Sequence, residues 1–160
     1  EEKLTSLITL QKIESKIDEI KILQGELPME VNDLEDEITG LNARQTRIEE
    51  EINGIQEFIN QKKEIISEAE ALLKKYESQS ENVKNSREFE AINKEIEMQQ
   101  LDMKLAERHI KDANEEIAEK VVLLEKARKN LSGKEAILTS KKSELEKIIG
   151  STEKEEKQFL

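Results

Sequence analysis

The chain has 160 residues, 39% charged and 2% aromatic, with no Cys, no Trp, one Pro and a formal net charge of −11. Large apolar side chains are too few and too evenly spread for a compact globular core, whereas the Glu, Lys, Leu and Ile content suits long helices. The charge disfavours broad phosphate-backbone binding, which draws on Lys and Arg clusters, and the missing cysteines exclude disulfides and thiolate metal sites.

The first arm carries residues at alternating spacings of three and four, apolar except for Gln24, Gln45 and Lys62: Leu10, Ile13, Ile17, Ile20, Gln24, Leu27, Val31, Leu34, Ile38, Leu41, Gln45, Ile48, Ile52, Ile55, Ile59, Lys62, Ile66, Ala69, Leu73 and Tyr76. This is an unbroken a/d seam, the signature of a left-handed coiled coil. Its one break candidate is Gly25-Glu26-Leu27-Pro28. Pro28 cannot donate to the carbonyl of Gln24 and its ring crowds that turn, a cost of about 3 kcal/mol in a helix interior. Because the heptad keeps phase across it, we expect a kink or a short break, with the helix continuing in the same direction. Gly40 and Gly54 stand at outer c positions two heptads apart, where each costs about 1 kcal/mol against Ala. They are either neutral on a solvated face or points where the arm bends or a partner helix comes close.

The repeat stops at Glu77-Ser78-Gln79-Ser80-Glu81-Asn82-Val83-Lys84-Asn85-Ser86-Arg87. Ser and Asn side chains compete with helical backbone for hydrogen bonds. Asn85 and Glu88 have capping-box spacing, which would let Asn85 accept from the Glu88 amide and Glu88 reach back. The stretch reads as the tip of a helical hairpin.

The second arm repeats Phe89, Ile96, Met103, Ile110, Ile117, Leu124, Leu131, Leu138 and Leu145. Its other seam positions, such as Gln99, Ala106, Ala113, Lys120, Lys134 and Lys141, are smaller or wetter. In an antiparallel pair a faces d, and a turn centred on the polar stretch makes facing numbers add to 165. Tyr76 would then face Phe89, Ile66 would face Gln99, and Ile17 would face Ile148. Gln45 would meet Lys120 and Gln24 would meet Lys141, so buried polar groups would find each other. Lys62 opposite Met103 and Lys134 opposite Val31 would have to snorkel.

The predicted class is therefore all-α, a long antiparallel two-helix coiled-coil hairpin kinked near Pro28. Its first arm covers about residues 3–78, its tip 79–86 and its second arm 87–158. No run of 18 apolar residues exists to span a membrane, and no signal peptide is visible, so we expect a cytoplasmic protein without membrane association. The chain opens on Glu1 rather than Met and reads as a piece of a longer protein.

Carboxylates such as Glu49-Glu50-Glu51 and Glu115-Glu116 need a pocket to shift their pKa values before they can do acid–base work. A two-helix hairpin offers none, so we expect no enzyme. His109, the only histidine, falls at a g position near Phe58 and lacks companions for a metal site. Lys74, Lys75, Lys84 and Arg87 make the tip locally basic, but Glu77, Glu81 and Glu88 interleave, with no aromatic platform for nucleic acid. One feature lies outside the seam. Phe58, Ile65 and Leu72 occupy g positions on the first arm, while Met98 and Leu105 occupy c positions on the second. They would form an apolar strip on one side of the hairpin and are the candidate partner-binding residues; the alternative is a tolerated scatter of surface apolar groups.

The segments Leu10-Gln11-Lys12-Ile13-Glu14-Ser15-Lys16-Ile17-Asp18-Glu19-Ile20, Gly25-Glu26-Leu27-Pro28, Val31-Asn32-Asp33-Leu34-Glu35-Asp36-Glu37-Ile38 and Val83-Lys84-Asn85-Ser86-Arg87-Glu88-Phe89-Glu90-Ala91-Ile92 resemble a bacterial family of coiled-coil proteins that end in a four-cysteine zinc ribbon. The resemblance implies a kinked antiparallel hairpin with the ribbon near its open end. Some members are linked to the alternative sigma factor of nitrogen and flagellar genes, to flagellar messenger RNA, or to type III secretion. This chain has no Cys, so the ribbon, and the zinc it would hold, is expected only after Leu160, and no cofactor is expected within the chain. The expectation is a non-catalytic scaffold or adaptor that docks protein partners and leaves room for self-association. The alternative is a nucleic-acid-binding protein whose main contacts come from the missing ribbon.

Overall fold

The computed structural model describes residues 2–159. Three α-helices, α1 (Glu2–Lys21), α2 (Leu27–Glu81) and α3 (Ser86–Phe159), account for nearly all of it, and a π-helical turn, Ile22–Glu26, joins the first two. No strand occurs among the described residues, and α2 and α3 pack against each other as the arms of a helical hairpin. The chain divides into two compact units, Glu1–Gln45 with Lys126–Leu160 and Thr46–Glu125.

The second of these units contains the reversal, at residues 82–85, inside the expected tip 79–86, with α2 running to Glu81, three residues past the expected end of the first arm. The last turn of α2 is tied off by its own polar residues. The Asn82 amide donates to the Gln79 carbonyl at 3.2 Å, and the Asn82 side chain donates to the Ser78 carbonyl at 3.4 Å. Asn85 is the N-cap of α3, but its Oδ1 accepts from the Arg87 amide at 2.9 Å rather than from Glu88. Either amide is an orphan donor of the first turn, and bonding the nearer one meets the same need.

The helix pair is antiparallel, but its register differs from the expected one by a heptad. In the tip unit Lys120 reaches Glu51 at 2.8 Å. In the other unit Lys134 reaches Glu37 at 3.1 Å and Lys141 reaches Glu30 at 3.2 Å. Each pair of numbers adds to 171, and each Glu stands one residue before a seam position, so the layers add to 172 rather than 165. The flanking contacts agree: Phe58–His109, g with g, and Glu35–Lys142, e with e, add to 167 and 177, five to either side. Lys120 therefore lies level with Ile52 instead of Gln45, Lys134 with Ile38 instead of Val31, and Lys141 with Val31 instead of Gln24. At 165 the g residues beside the three seam lysines would be Arg44, Glu30 and Leu23. At 172 all three are glutamates, and Coulomb attraction in place of one like-charge contact favours that setting.

Burial follows this register. In the tip unit Ile48 shares its layer with Leu124, and Ile59 (2% exposed) shares its layer with Ala113. Ile66 then stands against Ala106 and Ala69 against Met103, large against small, which lets layers interdigitate. In the other unit Leu41 is level with Leu131, and Leu27 and Val31 are buried. At the tip Phe89 is 47% exposed, so it does not close the seam as a partner of Tyr76.

Around Pro28 the backbone stays helical and does not reverse. The Leu27 amide donates to the Ile22 carbonyl, five residues back, and the flanking Lys21 and Leu27 keep right-handed helical angles. A wider turn relieves the crowding that a proline imposes on the preceding one. It also takes up an extra residue, which turns the stripe before it by roughly 100° against the stripe after it. The heptad phase that is kept in sequence is thus lost in space. Leu10, Ile13, Ile17 and Ile20 are 47–55% exposed and α1 buries no residue. Ile148, expected opposite Ile17, instead lines a groove with Ile22 and Leu27.

Candidate docking surface

The tip unit holds a groove of about 600 Å³ along the junction of its two helices. Gly54, Ile55 and Ala113 line it with small or apolar surface, Phe58 and His109 supply rings, and Glu51, Asp112, Glu116 and Lys120 supply charge. The heptad explains the company. Glu51 and Phe58 are g residues of α2, and His109, Asp112 and Glu116 are g and c residues of α3, so both classes point to one side of an antiparallel pair. Adding a methyl at Gly54 would meet nothing within 4 Å, so packing inside the chain does not require glycine there.

The Phe58 and His109 ring centroids are 6.1 Å apart with a 44° interplanar angle, a tilted arrangement of the kind aromatic pairs favour. Lys62, a seam residue, leans out so that Nζ sits 5.2 Å from the Phe58 centroid, within cation–π range. Nδ1 of His109 is buried and makes no hydrogen bond in the chain. The Lys120 ammonium, by hydrogen bond and then by charge, holds the Glu51 carboxyl below its usual range. Glu51 in turn raises Lys120, against a smaller opposing effect of desolvation. Both side chains keep contact with water, at 23% and 44% exposure, so solvent screens the pair.

Of the five strip residues, Phe58 (39%), Ile65 (38%), Met98 (57%) and Leu105 (53%) are exposed, and Leu72 is half-buried. Phe58 lines the groove directly. Ile65 and Leu72 repeat its g position, and Leu105 and Met98 repeat the c position of Asp112, so the heptad carries them along the same side towards the tip. Leu101, at an f position and 65% exposed, adds to this surface. Sequence reading passed over it because f is the most solvated position of a heptad. It also passed over the groove, whose signal is the pairing of a seam lysine with a g glutamate.

The basic residues of the tip, Lys74, Lys75, Lys84 and Arg87, are exposed. The residues present do not fit a four-cysteine zinc site: the chain has no Cys and one His, and no group of three metal-ligating side chains occurs among the described residues. Among those residues no helix is long and apolar enough to cross a membrane. No family model, curated protein or solved structure matches the chain.

Proposed function

We propose that the chain is a non-catalytic coiled-coil scaffold that docks a protein partner on the apolar side of its tip unit. The observation that carries this reading is the exposure of Phe58, Ile65, Met98 and Leu105 on one side of the helix pair, beside a groove that Gly54 leaves open. Apolar residues clustered in this way mark interaction surfaces more often than singly scattered ones do. A groove between two helices takes a third amphipathic helix, with anchors at i, i+3, i+4 and i+7. Asp112 and Glu116 on its border suit a partner helix with Lys or Arg beside its apolar stripe. Carboxylates here, and the net charge of −11, speak against nucleic acid as the occupant.

Photocrosslinking from Met98 in cells tests the reading, with Ile65→Glu/Leu105→Glu as the comparison. Both positions lie outside the seam, so melting by circular dichroism should hardly change while the crosslinked partner is lost. An unchanged crosslinking pattern in a normally folded double variant would refute the docking role. Binding that fell steeply with salt yet ignored the double variant would point to the nucleic-acid alternative.

A further inference from the structure

We infer that α1 is a self-association element, pairing antiparallel with α1 of a second copy of this chain. Its seam residues Leu10, Ile13, Ile17 and Ile20 are 47–55% exposed, and no residue of the helix is buried. The chain's own second arm is poorly suited to cover them. The π-turn at Ile22–Glu26 takes up an extra residue, so the register that holds α2 against α3 does not carry on into α1.

A second α1 can cover them. With facing numbers that add to 30, Leu10 meets Ile20′ and Ile13 meets Ile17′, and the two-fold axis repeats both layers. That gives four apolar layers in a row. The flanks match too. Glu14 and Lys21 are e residues whose numbers add to 35, five above the layer value, the same offset that pairs Glu35 with Lys142 at 3.0 Å inside the chain. Symmetry makes two such ion pairs. In a parallel pairing the g-to-e contacts would instead bring Lys16 against Lys21′, a like-charge contact. Charge therefore selects the antiparallel arrangement and apolar area drives it. Helices of this length are marginal alone, so the association is expected to depend on protein concentration.

The absence of Cys from the chain makes disulfide trapping clean. Full-length chains carrying Ile13→Cys and Ile17→Cys, mixed in equal amounts and oxidised, should give the mixed dimer well beyond the share that random pairing supplies. Sedimentation equilibrium should show dimer formation that Glu14→Lys weakens about two- to thirty-fold, two exposed ion pairs' worth, and that Glu14→Lys/Lys21→Glu restores. Ile17→Asp should leave a monomer whose tip unit melts as before. A chain that stays monomeric at high concentration would overturn the inference. So would preferential Ile13→Cys self-pairing, which means parallel helices, or a dimer insensitive to Ile17→Asp.

Discussion

Ile59 offers the sharpest test of the packing. It is 2% exposed, the most deeply buried large side chain of the tip unit, and its layer partner at 172 is Ala113, 5% exposed. Truncation of a buried Ile to Ala costs about 2–5 kcal/mol, the spread reflecting how far the site can close over the void. Two helices with water on both flanks can close more readily than a globular core, which places Ile59→Ala near the lower end, about 2–3 kcal/mol. Returning the lost volume from across the seam, as Ile59→Ala/Ala113→Ile, should recover a coupling energy on the order of 1 kcal/mol or more. Ala106 is the control. At 172 it faces Ile66, so Ile59→Ala/Ala106→Ile should overpack a second layer and lose about 1–3 kcal/mol further. Urea unfolding followed by circular dichroism, extrapolated linearly to water, reads the wild type, the three single variants Ile59→Ala, Ala113→Ile and Ala106→Ile, and the two double variants. Rescue by Ala106→Ile and not by Ala113→Ile would place the layers at 165 and refute the register.

Two further outcomes follow from the charges and the proline. The Glu51 carboxyl titrates below its usual 4.5 because of Lys120, so the folded state binds that proton less readily than the unfolded one. The contribution of the pair is complete above the unfolded pKa and fades as pH falls through the lowered one. Lys120 is raised above 10.5, so its share fades only as pH rises past that value. Glu51→Gln should therefore reduce the loss of stability on acidification and leave the pH dependence around neutrality flat, as acid melts can check; an acid limb identical to wild type would contradict the pairing. Pro28→Ala restores a backbone donor to Gln24. It should convert the π-turn at Ile22–Glu26 to α-helix and raise amide-exchange protection there, whereas unchanged protection would mean that the turn has another cause.

The hairpin was legible in the sequence because two independent signals agreed, a heptad sustained on both arms and a polar, cappable stretch between them. The register was not, because the heptad admits offsets seven residues apart and cannot choose among them. Matching polar residues across the seam favoured 165 through Gln45 with Lys120 and Gln24 with Lys141. That reasoning assumes that a seam lysine stays in its layer. Here Lys120, Lys134 and Lys141 leave it for carboxylates on the flank, and an ammonium bonded to a solvated carboxylate no longer needs a polar partner inside. The g glutamates at 30, 37 and 51 were visible in the sequence. Read against the three lysines, they point to 172. The proximity of His109 to Phe58 was legible under either offset, because g-to-g pairs at 167 flank both.

The stripe on α1 failed for a different reason, and it bears on what the two surfaces do. Heptad phase is a property of residue count, whereas burial depends on angle. A turn that spends an extra residue separates the two without leaving a mark in the spacing. The sequence signal for it was Pro28 itself, read as a kink or short break; the break is there, as the π-turn Ile22–Glu26, and the rotation it adds is what the spacing could not show. Once α1 is rotated out of line, its isoleucines cannot belong to the core of the chain that carries them. An a/d stripe of this quality without an internal partner fits an interface with another chain better than it fits a core. The strip on the tip unit is different in kind. It lies at g and c positions beside a complete seam, so it could lose its apolar character without loss of the fold. Ile17 and Ile65 are thus expected to separate cleanly: a charge at the first should abolish self-association and spare partner docking, and a charge at the second should do the reverse.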